Sequence, residues 1–417
     1  MCVEKIILVG VENQENYGNF PESMKELVNL SETAQGEVVG ELIQRRQKID
    51  RRTIVGKGKL EELSALVASK EADTVIFNHE LSARQARLIE EVVDAKIIDR
   101  VQLILDIFAM RAQSKEGQLQ VELAQLNYLL PRLVGQGTSL SRLGGGIGTR
   151  GPGETKLETD RRHIRHKITL IKRELKETEE HRERSRQKRK DSSVFQIGLI
   201  GYTNAGKSTI MNLLTDTKTY AEDQLFATLD PLTKKWQLPD GFETTITDTV
   251  GFIQDLPTQL IEAFQSTLEE SRSVDLLLHV VDASSDNRHQ QEETVMTLLD
   301  ELEMNHIPVL TVYNKADLLD DATQFVPTLY PNCLISAMNQ ESQEVLVEAI
   351  TKRMKELFVS FDITLEAKDA YKISQMKKET LIDAYEYLEE SNTYQVQGYA
   401  HERSKWTRGE ETDELEY

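Results

Sequence analysis

The stretch "FQIGLIGYTNAGKSTIMNLLTD", residues 195–216, joins an apolar strand pattern to a helix pattern through a glycine-containing loop. Residues Gly201 to Ser208 match the phosphate-loop motif G-x-x-x-x-G-K-[ST], in the strand–loop–helix context that this motif requires. Its glycines let backbone N–H groups curl round a phosphate, and the helix N-terminus adds positive charge. We therefore predict an α/β P-loop domain in which Lys207 bridges the β- and γ-phosphate oxygens and the Ser208 hydroxyl binds Mg²⁺.

A second motif, Asp248-x-x-Gly251, begins where the predicted strand "TTITD" ends. Asp248 is expected to hold Mg²⁺ through a water molecule, and the Gly251 N–H is expected to reach the γ-phosphate. The next residue is Phe252, whose ring can neither orient nor deprotonate water, so intrinsic hydrolysis should be slow unless a group is supplied in trans. Packing of Phe252 in the core is an alternative interpretation, compatible with the first.

The segment "NKAD", Asn314 to Asp317, follows the apolar pattern "PVLTVY" and predicts which base is bound. The Asp317 carboxylate can accept hydrogen bonds from N1–H and the exocyclic amine of guanine, whereas adenine offers neither donor in that arrangement. Asn314 is expected to meet the other edge of the base and tie the loops together, with the Lys315 stem over the face of the base. Backbone N–H groups of Ser336, Ala337 and Met338 would meet the guanine oxygen. The sequence therefore predicts GTP rather than ATP.

Between the first two motifs lies "QLFATLDPLTKK", residues 224–235. Thr228 is the better candidate to close over the γ-phosphate and give its hydroxyl to Mg²⁺. Thr233 competes with it, and spacing alone does not choose between them. A loop that binds the metal only when the third phosphate is present makes a two-state switch.

The predicted nucleotide contacts are the motif residues and their loop neighbours. Lys207, Thr228 and Gly251 are assigned catalytic roles, and Ser208 and Thr228 are the predicted Mg²⁺ ligands. Asn204 has a further interpretation, because asparagine at this point occurs in GTPases that use K⁺ in place of an activating arginine; an ordinary polar loop residue is the alternative. The full predicted set is Gly201, Tyr202, Thr203, Asn204, Ala205, Gly206, Lys207, Ser208, Thr209, Phe226, Ala227, Thr228, Leu229, Asp230, Asp248, Thr249, Val250, Gly251, Asn314, Lys315, Ala316, Asp317, Ser336, Ala337 and Met338.

The remaining chain divides by pattern around this nucleotide-binding domain, which we assign to residues 194–358 with a mainly parallel sheet. Residues 1–103 alternate strand and helix patterns and predict a small α/β domain. Residues 104–190 carry two apolar seams at helical spacing and predict an antiparallel helical hairpin with a charged linker. Residues 359–417 are expected to form a small C-terminal domain with an acidic tail. The seams are Leu119, Leu123, Leu126, Leu130 and Leu133, and Leu157, Ile164, Ile168, Ile171 and Leu175.

A glycine-rich loop, residues 134–155, connects the two predicted helices of the hairpin. Loops of this length are usually functional or disordered. Its formal match to the dinucleotide fingerprint G-x-G-x-x-G is rejected, because no strand precedes it. A basic segment, residues 142–190, overlaps the loop and holds 16 Lys and Arg against 8 Asp and Glu, in a chain of net charge −20. We predict RNA contact at these two segments; a flexible linker and a solvated helix face are the alternatives.

The cysteine count and the apolar runs indicate the cellular location of the protein. Two cysteines, Cys2 and Cys333, do not form a disulfide framework. No stretch approaches the ~20 apolar residues of a membrane span, and "IILVGV" is too short for a secretory signal. We expect a cytoplasmic monomer without a structural metal, and His279 as a core residue rather than a catalytic base.

The segments "GYTNAGKST", "LFATLDP", "DTVGFI", "NKAD" and "SAM" resemble the HflX-type GTPases of the translation factor class. "GGGIGTRGPGETKLETDRR" is similar to the glycine-rich segment of that family, and the resemblance covers about residues 1 to 358. It implies a GTPase that binds the large ribosomal subunit and ribosomal RNA. It also implies that GTP binding and hydrolysis are coupled to ribosome dissociation or rescue under stress.

Two other functions remain open from the sequence. One is a GTP-gated RNA-binding adaptor in which hydrolysis only resets binding. The other is an NTP-driven RNA remodeller, although "NKAD" gives no reason to expect ATP in the guanine site.

Overall fold

The computed structural model describes residues 3–14, 16–133, 152–191, 194–215, 225–226, 228, 231–249, 251–253 and 272–407, with the backbone alone for 152–157 and 179–191. The chain forms two compact units. The first comprises Met1–Glu179, Asp223–Asp230 and Gln254–Gln265, and the second Glu180–Glu222, Pro231–Ile253 and Ser266–Tyr417. Among the helices in the described ranges, none combines the length and the apolar character needed to span a membrane.

The first unit begins with a four-stranded parallel sheet in the order β2-β1-β3-β4. The central strand β1 is buried from Ile6 to Glu12, as expected for a parallel strand covered on both faces. The sequence predicted a small α/β domain here. It did not predict the helix over Phe20–Thr33, although Phe20, Met24, Leu27 and Leu30 recur on one helical face and are buried. The elements are β1 Lys5–Glu12, α1 Phe20–Thr33, β2 Glu37–Arg45, α2 Lys57–Lys70, β3 Thr74–Phe77, α3 Ala83–Glu90, β4 Lys96–Asp99 and α4 Arg100–Arg111.

A helical hairpin follows, formed by α5 (Lys115–Arg132) and α6 (Pro152–Asp191). Ion pairs join Lys115 to Glu174 and Lys167 to Glu122, so the two helices run antiparallel, as predicted. Residues 134–151 of the predicted glycine-rich loop lie outside the described residues, and α6 begins at Pro152, before the predicted end of the loop at residue 155.

The buried stripe of α5 differs from the predicted seam. Its buried side chains are Gln120, Val121, Ala124 and Tyr128, whereas the predicted leucines are only half-buried. The sequence pattern identified the helix but not the face that packs most tightly, because the stripe contains an alanine and a tyrosine. The expected boundary at residue 103 also falls inside α4.

The second unit contains a six-stranded sheet in the order β10-β9-β8-β5-β7-β6, parallel except for β6. The mainly parallel sheet was predicted. Strand β6 was not, because "LTKKWQ" has two adjacent lysines and no apolar run; it lies at the sheet edge, where lysines are tolerated. The elements are β5 Phe195–Gly201, α7 Lys207–Thr215, β6 Leu232–Gln237, β7 Glu243–Asp248, β8 Leu276–Asp282, α8 Arg288–Glu301, β9 Val309–Asn314, β10 Asn332–Leu334 and α9 Glu341–Leu357.

The C-terminal part of this unit is a three-stranded antiparallel sheet with one helix, in the strand order β11-β13-β12. Phe358, at its start, packs edge-on against Phe195 of β5 with ring centroids 5.1 Å apart, and Leu381 joins the same core. The C-terminal part therefore shares a hydrophobic core with the six-stranded sheet. Residues 408–417, the predicted acidic tail, lie outside the described residues. The elements are β11 Val359–Glu366, α10 Tyr371–Glu379, β12 Leu381–Leu388 and β13 Thr393–Ala400.

Candidate nucleotide-binding site

The loop between β5 and α7 has the backbone that the phosphate-loop motif predicts. Gly206 has φ +96°, and a Cβ there would lie 2.2 Å from the Asn314 side-chain nitrogen. Asn204 has φ +59°, a conformation that asparagine tolerates better than most residues. The loop therefore turns into α7 at a position that only glycine fits.

Lys207 is the first residue of α7 and is buried at 6% exposure. Its ammonium group donates to the backbone oxygens of Gly201 (3.1 Å) and Tyr202 (2.9 Å), which hold it across the loop. Burial lowers the pKa of Lys207 to about 8, against the opposing effect of the Asp248 carboxylate. A phosphate beside this ammonium would supply the negative charge that its burial requires.

Ser208 and Asp248 meet at the end of β7. The Ser208 hydroxyl donates to Asp248 Oδ2 at 2.7 Å, and Asp248 is buried at 1% exposure. One hydroxyl oxygen and one carboxylate at a phosphate loop fit Mg²⁺, which prefers a few oxygen ligands together with water and substrate phosphates.

The segment after Asp248 is joined to the phosphate loop by backbone hydrogen bonds. The Phe252 N–H donates to the Gly201 oxygen at 3.1 Å, and the Thr203 N–H donates to the Phe252 oxygen at 2.7 Å. The Phe252 ring is buried at 4% exposure. The interpretation that this ring packs in the core agrees with the structure. The sequence did not reveal the bridge itself, because it depends on the separation of two chain segments.

The base-recognition segment begins where β9 ends. Asn314 is buried, its side-chain nitrogen donates to the Ala205 oxygen at 2.9 Å, and its side-chain oxygen accepts from the Ala337 N–H at 2.9 Å. It thereby links the phosphate loop to the segment that follows β10. The Asp317 carboxylate is exposed and accepts from the Ser336 hydroxyl, whereas Met338 is 83% exposed.

Asp282 is a site residue that the sequence analysis missed. It ends β8, and its carboxylate lies 2.8 Å from the ammonium of Lys315, whose backbone has φ +63°. Asp282 also accepts from the N–H (3.0 Å) and hydroxyl (2.6 Å) of Ser284. A signal was present, because Asp282 is polar and is the last residue of its strand, as Asp248 and Asn314 are.

The two threonine candidates of the switch segment, residues 224–235, have different surroundings. Thr233 lies in β6, and its hydroxyl is 2.9 Å from that of Thr247, so it belongs to the sheet rather than to a loop. Thr228 is half-buried and stays the predicted ligand. Phe226 is buried with φ +56°, and its ring meets that of Phe108 edge-on at 4.5 Å within the first unit. Ala227, Leu229, Asp230 and Val250 lie outside the described residues.

His279 lies in the middle of β8 at 1% exposure. Burial lowers its pKa to about 4, and the positive charge of Lys207 adds to this effect. A neutral, enclosed imidazole agrees with the expectation of a core residue.

Three family models together match most of the chain. The model described as "GTP-binding GTPase N-terminal" matches residues 21–109, and "GTP-binding GTPase Middle Region" matches residues 111–189. "50S ribosome-binding GTPase" matches residues 196–315, which include the phosphate loop, the Asp248 segment and Asn314.

The chain is also similar to curated proteins that carry the name "GTPase HflX". The protein from Alkalihalophilus pseudofirmus is 50% identical over 96% of this chain and 95% of its own length. That from Caldanaerobacter subterraneus is 52% identical over 84% of this chain and 81% of its own. That from Lacrimispora saccharolytica is 43% identical over 93% and 92%.

Proposed function

The chain belongs to the HflX family of GTPases, and from that premise we propose that it binds the large ribosomal subunit and couples its GTP cycle to ribosome dissociation or rescue. The activity is hydrolysis of GTP to GDP and phosphate. The observation that carries the GTP cycle is the meeting of phosphate-loop, metal-ligand and base-recognition residues at the carboxyl ends of the parallel strands, which is where such folds bind ligands. The ribosomal partner is supported by the match of residues 196–315 to the model "50S ribosome-binding GTPase".

For the phosphates, we assign the charge of Lys207 to the β- and γ-oxygens and the N–H of Gly251 to the γ-phosphate. Ser208 and Thr228 would hold Mg²⁺ directly, with Asp248 behind a water molecule; the ion supplies neutralisation of phosphate charge when bound. Asn204 would serve K⁺ if hydrolysis requires that cation. Comparison of turnover in K⁺ and Na⁺ buffers tests this last role, since equal rates remove K⁺ from the mechanism.

For the base, the exposed Asp317 carboxylate is the guanine-selecting group. Its hydroxyl partner Ser336 orients it, and the Lys315 stem covers the face of the base, with its ammonium group held by Asp282. Binding of ATP would leave the carboxylate without its two donors, so guanine is favoured by a large factor.

Support for an RNA partner comes from the charge of the helical hairpin. Arg165, Lys172 and Arg173 are exposed along α6, within a chain that is strongly acidic as a whole. Cations on such a helix favour phosphate backbones, and their contribution falls as salt rises. We therefore assign the RNA contact to the basic segment and the neighbouring glycine-rich loop.

The partner is tested by co-sedimentation with separated ribosomal subunits, in GDP and in a non-hydrolysable GTP analogue, at two salt concentrations. We expect the analogue form to sediment with large subunits, and less of it at higher salt. Lys172→Glu should weaken this binding, whereas Lys25→Glu, the same charge change at an exposed position on α1, should not. Equal sedimentation with and without subunits would contradict the proposal.

Hydrolysis is expected to be slow in the purified protein, because the buried Phe252 supplies no group that orients water. Large subunits should raise turnover by about tenfold or more by supplying that group or ordering the loop around Thr228. Small subunits provide the control. Equal rates with large and small subunits would reject stimulation by the large subunit.

The second function is a GTP-gated RNA-binding adaptor, in which the loop around Thr228 would close on GTP and hydrolysis would only reset binding. It is separated from the first by single-turnover ribosome splitting in the non-hydrolysable analogue. If splitting proceeds at the rate seen with GTP, binding does the work and hydrolysis only resets the protein. If splitting stops, hydrolysis is coupled to the mechanical step.

A further inference from the structure

Thr203 has a buried hydroxyl with no hydrogen-bond partner in the part of the chain that the structure describes. The residue is 7% exposed, and its Oγ1 is enclosed. Its backbone N–H is already used, because it donates to the Phe252 oxygen at 2.7 Å. A buried hydroxyl without a partner destabilises a protein, because it has lost its hydrogen bonds to water. A polar ligand group that binds beside it therefore gains a hydrogen-bond donor that is already desolvated.

The surroundings of Thr203 indicate which group would enter. A Cβ added at Gly251 would lie 2.8 Å from Thr203 Cγ2 and 2.8 Å from the Lys207 ammonium nitrogen. Thr203, Gly251 and Lys207 therefore meet at one corner of the phosphate loop. Two of the three are the groups assigned to the γ-phosphate, so the Thr203 side chain borders the place of the third phosphate rather than of the base or ribose.

Phe252 does not contribute a polar group at this corner. Its ring is buried at 4% exposure, and its backbone is bonded to Gly201 and Thr203 on either side. Among the side chains placed at this corner, Thr203 offers a hydroxyl that can both donate and accept.

We propose that Thr203 is a catalytic residue of GTP hydrolysis, whose hydroxyl donates a hydrogen bond to a γ-phosphate oxygen. In that reaction the water oxygen attacks the γ-phosphorus and the bond from phosphorus to the bridging oxygen breaks. The electron pair stays on GDP, and the water protons leave with the released phosphate and solvent. Thr203 keeps its proton throughout and acts by holding and polarising the transferred group.

Two variants separate the hydroxyl from the shape of the side chain. Thr203→Val keeps the branched shape beside Gly251 and removes the hydroxyl, whereas Thr203→Ser keeps the hydroxyl and removes the methyl. Three quantities are measured on the full chain with Mg²⁺: single-turnover hydrolysis, the Kd values of GDP and of a non-hydrolysable GTP analogue, and the melting temperature without nucleotide.

We expect Thr203→Val to lower the hydrolysis rate by about tenfold or more and to weaken binding of the analogue while GDP binding stays within about twofold. Its melting temperature should stay the same or rise, because the lost hydroxyl has no partner among the described residues. Thr203→Ser should recover most of the rate that the valine variant loses. A purely structural role would change GDP binding and melting along with the rate.

Three results would overturn the proposal. The first is a valine variant that hydrolyses GTP at the wild-type rate. The second is a serine variant as slow as the valine variant, which assigns the effect to methyl packing. The third is equal weakening of GDP and analogue, which assigns it to the shape of the loop. Neither the variants nor the assays involve ribosomal subunits, so the outcome is independent of the ribosomal partner.

Discussion

The buried imidazole of His279 makes a quantitative prediction about acid stability. The residue lies in β8 at 1% exposure, and burial, together with the positive charge of Lys207, lowers its pKa from the ordinary 6.5 to about 4. The folded protein therefore resists protonation of His279, whereas the unfolded chain accepts a proton below about pH 6.5. The neutral imidazole therefore makes its complete contribution to the free energy of unfolding above about pH 6.5, and this contribution declines as the pH falls toward 4.

The size of the loss follows from the two pKa values. At about pH 5 nearly all of the unfolded chain and about a tenth of the folded protein carry the proton, which lowers the free energy of unfolding by about 2 kcal/mol. The limit below about pH 4 is about 3 kcal/mol, since one pKa unit corresponds to about 1.4 kcal/mol. Replacement of His279 by Gln, a neutral side chain of similar size, removes this dependence whatever its effect at neutral pH.

Urea unfolding of wild type and His279→Gln at about pH 7 and about pH 5 measures the difference. Both tryptophans, Trp236 and Trp406, are buried in the second unit, so their fluorescence follows the unit that holds His279. The wild type should lose about 2 kcal/mol more than the variant between the two pH values. His306→Gln, at an exposed histidine, is the control for removal of an imidazole. If wild type and His279→Gln lose equal stability, the folded protein accommodates the charged ring and the reasoning fails.

Three further variants test other contacts. Asp317→Asn should weaken GTP binding by about 100-fold, because two hydrogen bonds to a charged group are lost. Competition titrations against xanthosine triphosphate, whose base suits the amide, measure the change in base preference. Unchanged selectivity for guanine would count against Asp317 as the guanine-selecting group. Asp282→Asn should weaken GDP and GTP equally, by about two- to fivefold, because the Lys315–Asp282 pair is partly exposed; an effect on one nucleotide alone would point to a different role. Tyr128→Phe removes a 2.7 Å hydrogen bond to Asp99 and should lower the free energy of unfolding of the first unit by about 1–3 kcal/mol. Hydrogen exchange measures this loss, and nucleotide titration should show an unchanged affinity for GTP.

Local sequence patterns were sufficient to predict the phosphate loop, the edge of the sheet that holds the site and the helical hairpin. The turn from β5 into α7 depends on glycines and an apolar strand that are contiguous in sequence, so the motif and its context were both visible. Polar residues at strand ends, such as Asp248 and Asn314, indicated one edge of the sheet because parallel strands end on the same side. The antiparallel hairpin followed from two seams at helical spacing.

Contacts between distant segments were not visible in that way. The anchor of Lys315 is Asp282, 33 positions earlier in the chain, and the partners of Tyr128 include the buried Asp99. Strand β6 also escaped prediction, since its pairing with β7 depends on an edge position and not on its own composition.

By itself the sequence determined the α/β class, the phosphate loop, the GTP-selective motif and the separation of a basic segment from an acidic body. These depend on residue type and short-range spacing, which local backbone preferences and hydrogen-bonding groups translate directly into structure. Only the tertiary structure decided that the Phe252 ring is buried, that Thr203 lies beside Gly251 and Lys207, and that the C-terminal sheet shares a core with the six-stranded sheet. Each of these depends on packing between segments far apart in the chain, and residue order alone does not specify such distances.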